Sequence, residues 1–157
     1  MSIIVIAGGH GQIALRLARL LSARGDTVRS LIRNPGHEAG VHAAGAEAVL
    51  ADMEQLDDLS GVVDGADAVV FAAGAGPGSG AERKRTVDLG AAVKLLDAAR
   101  RTGARRYLMV SSMGAGDPTA GGDAITASFL REAADLAQVP GSSFYRRLRQ
   151  KFGRLSS

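Results

Sequence analysis

Cysteine and tryptophan are absent from this sequence, and aromatic side chains make up only 4% of its 157 residues. The lack of cysteine excludes disulfide bonds, thiolate catalysis and cysteine-ligated zinc sites. Because bulky rings are scarce, small aliphatic side chains must fill the core, which is typical of helices packed closely on a parallel sheet. No apolar run has the length of a membrane span, and the first apolar segment lacks the cationic flank of a signal peptide, so a cytoplasmic protein is expected.

Acidic and basic residues are unevenly distributed along the chain. Residues 1–138 carry 14 lysines and arginines against 16 acidic residues, whereas residues 139–157 carry five basic residues and no acid. The formal net charge of +3 therefore comes from the tail, and no nucleic-acid partner is expected for the body. We predict one domain over residues 1–138 and a basic tail over residues 139–157. The helical spacing of the apolar residues in this tail favours a docked or frayed helix over a mobile segment or a contact for anionic surfaces.

Short apolar runs alternate with helical patterns along the chain. Strands are predicted at residues 3–7, 27–32, 47–50, 68–73 and 106–111. Helices are predicted at residues 12–24, 38–44, 56–63, 82–102 and 124–137. This alternation predicts an α/β fold with a Rossmann-like, doubly wound parallel sheet of five or six strands, ordered 3-2-1-4-5, with helices on both faces. A ligand crevice is expected at the carboxyl ends of strands 1 and 4.

A glycine cluster stands between the first predicted strand and the first predicted helix. Gly8 permits a tight turn there, Gly11 would let the backbone approach a diphosphate, and Ala14 is small enough for close packing of helix on strand. The free N–H groups and positive dipole end of the helix favour an anion above this turn. We therefore predict a dinucleotide-binding turn, the alternative being a glycine-rich turn without a ligand. The predicted binding residues here are Gly8, Gly9, His10, Gly11, Gln12 and Ile13.

The ends of the second and third strands offer contacts for the adenosine half of a dinucleotide. Arg33 occupies the position where NAD-preferring sites usually place a carboxylate, and its guanidinium suits a 2′-phosphate, so NADP is favoured over NAD. The alternative is that Arg33 is only a solvated turn residue. Asp52 can accept from the adenine amino group, with Met53 beside the ring. Asp52 is equally suited to cap a helix that begins near Glu54.

Small residues follow the fourth strand, and a charged helix follows them. Ala72, Ala73 and Gly74 would let a cofactor pass over the sheet. Lys84 could lie beside the crevice, although a solvated pair with Asp88 is the simpler interpretation.

Taken together, these motifs resemble the atypical short-chain dehydrogenase/reductases, and within them the NAD(P)H-binding subgroup of NmrA-like and flavin/biliverdin reductase-like proteins. The resemblance rests on residues 8–14, 32–35, 52–53, 72–74 and 110–114 and covers roughly residues 3–116. It implies NADP binding and hydride chemistry of the reductase or epimerase type. It also implies that Ser111 or Ser112, at the end of the fifth strand, polarises a substrate carbonyl, unless the hydroxyl is a simple strand-end cap.

Two departures from the family pattern limit what this resemblance implies about function. The Tyr-x-x-x-Lys pair of the wider superfamily is missing, because the aligned positions are Phe129 and Ala133. The basic tail also replaces the substrate-binding part with which relatives continue, which suggests a truncated or replaced C-terminus. Three hypotheses follow: an NADPH-dependent oxidoreductase for a small carbonyl, quinone or flavin-like acceptor, a non-catalytic NADP redox sensor, or an impaired reductase. A monomer or homodimer is expected, and no metal site is predicted.

Overall fold

The computed structural model describes residues 1–74 and 90–110. Its strands are β1 (Ile3–Ala7), β2 (Thr27–Ile32), β3 (Glu47–Leu50), β4 (Ala68–Phe71) and β5 (Arg106–Met109). Its α-helices are α1 (Gln12–Ala23), α2 (Glu38–Ala43), α3 (Ser60–Val63) and α4 (Ala91–Arg101). A short 3-10 turn (Pro35–His37) precedes α2.

The five strands form one parallel sheet in the order β3-β2-β1-β4-β5. The predicted Rossmann-like topology is therefore confirmed. In the register of the sheet, Ala7 at the end of β1 lies beside Leu31 of β2 and Phe71 of β4. The strand ends consequently meet along one edge of the sheet, where the intervening turns gather.

Each face of the sheet has its own apolar core, which explains why helices cover both sides. On one face, Ile6 packs with Ala14 and Ala18 of α1 and with Val41 of α2. Ala14 and Ala18 are completely buried, and their small side chains let α1 approach the sheet closely.

On the other face, the core joins β4 and β5 to α3 and α4. Phe71, the largest fully buried side chain among the described residues, packs there with Leu59 and Leu95. Tyr107 of β5 is also buried, and its hydroxyl donates to the carbonyl of Ala92 at 3.0 Å. Burial raises the pKa of the Tyr107 phenol, so it remains an uncharged donor that joins β5 to α4.

Two carboxylates hold the beginning of β1. The backbone N–H of Ser2 donates to Oδ1 of Asp26 at 3.0 Å, and that of Ile3 donates to Oδ2 of Asp67 at 2.9 Å. Asp26 directly precedes β2 and Asp67 directly precedes β4. The turns into both neighbouring strands therefore fix where the central strand starts.

Several predicted boundaries require correction. The helix predicted at 56–63 begins only at Ser60, because the carboxylate of Asp58 accepts the N–H of Ser60 and the N–H of Leu56 is used by the turn at Asp52. The strands predicted at 68–73 and 106–111 end at Phe71 and Met109.

The helix predicted at 82–102 is described over Ala91–Arg101. The helix predicted at 124–137 and the basic tail at 139–157 lie outside the described residues. The division of the chain at residue 138 therefore stays a prediction.

Candidate functional site

A cavity of about 490 Å³ opens at the carboxyl ends of β1, β2, β3 and β4. The glycine turn after β1 forms one wall, and the segment that follows β3 contributes another. Its volume is within the range of small-molecule and cofactor sites. The cavity therefore lies at the edge of the sheet where the sequence predicts a ligand crevice. Its lining includes Gly8, Gly9, His10, Gly11, Arg33, Asp52, Met53, Ala72, Ala73 and Gly74.

The glycines of the turn are required by the protein's own close packing. Gly8 has a φ of +75°, and a Cβ there would lie 2.5 Å from Cα of Ala73, behind the end of β4. At Gly9 a Cβ would lie 2.5 Å from Cβ of Ser30 on β2. Both distances are far below van der Waals contact, so side chains are excluded at the two positions. The predicted tight turn at Gly8 is confirmed, and the glycine requirement at Gly9 comes from β2.

The start of α1 leaves donors available at the turn. Gly11 is its N-cap in an extended conformation, no side chain caps it within the described part of the chain, and no acidic residue stands in its first turn. Unpaired N–H groups at a helix start attract anionic groups. Together with the adjoining cavity, this donor set fits the diphosphate of a dinucleotide. Gln12 and Ile13 form the first turn of α1 and do not line the cavity, and Ile13 is exposed.

Arg33 lies at the cavity rim and forms an ion pair that was not predicted from the sequence. Its Nη1 is 2.9 Å from Oε2 of Glu54, which comes from the segment after β3 and also lines the cavity. The Arg33 side chain remains 59% exposed, whereas that of Glu54 is 24% exposed. Arg33 is therefore more than a solvated turn residue, and its guanidinium stays accessible to an anionic ligand.

Asp52 shapes the turn that follows β3. Its Oδ1 accepts the N–H of Glu54 at 2.9 Å, and its carbonyl accepts the N–H of Leu56 at 2.9 Å. Asp52 therefore has the predicted capping role, but it caps a turn. Residues 53–55 form this turn instead of the helix expected near Glu54. Met53 packs at the margin of the core and lines the cavity as well. The adenine contacts of Asp52 and Met53 stay a prediction.

Two histidines stack at the cavity. The rings of His10, in the glycine turn, and His37, at the end of the 3-10 turn, lie parallel with their centroids 3.6 Å apart. This contact joins the turn after β1 to the segment after β2. It gives His10 a structural partner within the fold.

Three predicted site residues fall outside the described residues: Lys84, Ser111 and Ser112. The cavity is also lined by three polar residues that were not predicted from the sequence, Asn34, His37 and Glu54. Only one sequence feature could have predicted Asn34 and Glu54 as lining residues, namely that each is a polar residue shortly after the end of a parallel strand. Within residues 1–74 and 90–110, no helix is both long and apolar enough to cross a membrane, and no cluster of three metal-ligating side chains occurs.

Comparison with known proteins agrees with this site. A family model described as NAD(P)H-binding matches residues 8–139. The chain is 37% identical over 112 residues to an uncharacterised sugar epimerase, YhfK, of Bacillus subtilis, and the match covers 70% of this chain and 52% of that protein. The chain spans about half the length of the curated relatives it matches.

Solved structures share the fold. A Bacillus halodurans protein provisionally named an NAD-dependent epimerase/dehydratase is 32% identical, with a TM-score of 0.76 over 87% of this chain and 64% of that chain. An Agrobacterium tumefaciens protein of the short-chain dehydrogenase/reductase superfamily, solved with bound NAD, is 28% identical, with a TM-score of 0.61 over 74% of this chain and 34% of that chain. With the sheet order, the cavity and the matched family in agreement, the chain belongs to the NAD(P)H-binding family of atypical short-chain dehydrogenase/reductases and epimerases.

Proposed function

We propose that the cavity prefers NADP(H) to NAD(H). The observation that carries this proposal is the position of Arg33, whose guanidinium stands at the end of β2 on the cavity rim and is 59% exposed. The guanidinium would donate charged, planar hydrogen bonds to a 2′-phosphate on the adenosine ribose of NADPH. NADH has no 2′-phosphate and so gains nothing from this charge. Glu54 holds this guanidinium at 2.9 Å and so limits the directions in which it points.

The Arg33→Ala variant tests this preference. We expect its affinity for NADPH to fall by about 10- to 100-fold, because charge-assisted bonds to a phosphate are lost. Its affinity for NADH should change by no more than about twofold, because only a weak contact at the protein surface would be lost. Both affinities can be measured by titration calorimetry.

Arg105→Ala is the matched control. Arg105 directly precedes β5 at the opposite edge of the sheet, is 85% exposed, and pairs with Asp67 at 3.7 Å. Its removal alters the net charge equally and should leave both affinities near those of the parent protein. Equal losses for NADPH and NADH in Arg33→Ala would overturn the NADP preference.

We further propose that the whole protein is an oxidoreductase that acts on a small carbonyl, quinone or flavin-like acceptor. A bound nicotinamide supplies the hydride, and this chain supplies the cavity that orients the cofactor. Ser111 and Ser112 are the residues proposed to orient the acceptor, on the resemblance of residues 110–114 to the family motif. Without the Tyr-x-x-x-Lys pair, proton transfer must use another donor or solvent.

Turnover assays separate this activity from two alternatives. NADPH oxidation should depend on one acceptor class in a panel of quinones, flavins and aldehydes, followed by absorbance. The name of the Bacillus subtilis relative favours sugar epimerisation as the second candidate, which would interconvert two sugar epimers with no net change in cofactor absorbance. Tight cofactor binding with neither reaction would instead support a redox-sensing module and contradict the oxidoreductase proposal.

A further inference from the structure

Lys94 of α4 reaches across to the segment that follows β3. Its Nζ lies 3.2 Å from the carbonyl oxygen of Met53, 3.4 Å from that of Glu54 and 3.0 Å from that of Leu56. An ammonium group has three donors and no acceptor, so three converging carbonyls match its capacity. Lys94 is therefore committed to the backbone of this segment.

The segment that Lys94 holds forms part of the cavity wall. Asp52, Met53 and Glu54 all line the cavity, and so does Ala91, which lies one turn before Lys94 on α4. Residues three apart on a helix share a face, so the same face of α4 borders the cavity and carries the ammonium. The contact is thus made immediately behind the wall.

The effect of this contact extends to the cavity rim through Glu54. The Glu54 carbonyl accepts from Lys94, and the Glu54 carboxylate binds the guanidinium of Arg33. Fixing the Glu54 backbone also fixes the point from which its side chain reaches Arg33. A chain of contacts therefore runs from α4 through the segment after β3 to the end of β2.

We propose that Lys94 is a positioning residue for the adenosine half of the cofactor, an inference that rests on the proposed dinucleotide site. It holds Met53 and Glu54 against the cavity and, through Glu54, sets the orientation of Arg33. Lys94 does not line the cavity itself, so its influence on the cofactor is indirect.

The test compares Lys94→Met with Lys94→Arg. Methionine keeps an unbranched side chain without a charge or donors, whereas arginine restores a cation with several donors. Lys94→Met should weaken 5′-AMP and NADPH binding by about tenfold, because the cavity wall at Met53 and Glu54 loses the charged donor that holds its backbone. Binding of nicotinamide mononucleotide should not change, and Lys94→Arg should recover part of the lost affinity. Titration calorimetry on the full chain gives all three affinities.

Arg101→Met provides a matched control on the same helix. Arg101 also ties α4 to the start of α3, through Asp58 at 2.7 Å and Ser60 at 3.2 Å, but neither partner lines the cavity. We expect parental affinity for 5′-AMP in this variant. In the ligand-free protein, amide hydrogen exchange at residues 53–56 should accelerate in Lys94→Met and stay unchanged in Arg101→Met.

The outcomes distinguish this inference from the proposed function. If the parent protein binds neither NADPH nor NADH, both the proposed dinucleotide site and the positioning role of Lys94 are contradicted. If the parent protein binds and Lys94→Met binds 5′-AMP equally well, only the role of Lys94 is overturned. Equal losses in Lys94→Met and Arg101→Met would also overturn it, because they would show a general requirement for attachment of α4.

Discussion

Gly9 lies directly over Ser30, and the fit between these two residues explains both of them. Ser30 is fully buried on β2, and its hydroxyl has no hydrogen-bond partner among the described residues. A larger side chain at position 30 would meet the glycine turn, and any side chain at position 9 would meet Ser30. The turn therefore requires a small residue at position 30, and the serine that stands there leaves its buried hydroxyl uncompensated.

Gly9→Ala should destabilise the protein by about 1–3 kcal/mol, the usual cost of overpacking. Adding Ser30→Gly should recover part of this loss, because it removes the Cβ that stands 2.5 Å away but leaves the Ser30 Cα at 3.0 Å. Urea denaturation of both single variants and the double variant gives the coupling energy.

Gly61→Ala serves as the control for this cycle. A Cβ at Gly61 of α3 would meet nothing within 4 Å, so its effect on stability should be neutral or slightly favourable. Strictly additive losses for the Gly9 and Ser30 variants would contradict a direct contact between the two positions.

The beginning of β1 shows how a secondary-structure element can depend on titratable groups. The N–H of Ser2 lowers the pKa of Asp26 below its usual value, and the guanidinium of Arg24, 2.7 Å from Oδ2, lowers it further against the opposing effect of burial. The carboxylate that holds β1 is therefore stabilised in its charged form.

Asp26→Asn should lower the free energy of unfolding at pH 7 but not at strongly acidic pH. Because the pKa is lower in the folded than in the unfolded protein, the stabilisation is fully present above the unfolded value of about 4 and is lost as the pH falls through the folded value. Urea denaturation at pH 7, 5 and 3 measures the difference between parent and variant. Asp57→Asn, at an exposed carboxylate, is the control. A difference that stays constant down to pH 3 would show that the charge of Asp26 is unimportant.

Across the whole molecule, the order of the strands in the sheet could be predicted because the sequence signals for strands and turns are local. The apolar strands, the glycine turn and the small residues of α1 each act within a few positions, and the topology follows from general rules of βα connections. The Arg33–Glu54 pair and the Lys94 contacts join residues 21 and about 40 positions apart. No local sequence pattern predicts contacts between residues so far apart. These contacts are evident only from the folded structure, in which the ends of the strands lie close together.

The start of α3 illustrates the other limit of the sequence. The helical pattern extends back to Leu56. However, the N–H of Leu56 donates to the carbonyl of Asp52 and the N–H of Ser60 donates to the carboxylate of Asp58, so this stretch forms turns. Short polar side chains compete with helix formation in this way, and the outcome depends on geometry that periodicity does not record.

The central position of β1 has a consequence for synthesis of the chain on the ribosome. β1 precedes both β2 and β4 in the chain, and its contact with Asp26 spans 24 residues, whereas its contact with Asp67 spans 64. One edge of β1 can therefore pair with β2 early, while the other stays open until β4 has been translated. During that interval the nascent protein exposes an apolar strand edge, the kind of surface that chaperones protect and that otherwise promotes aggregation.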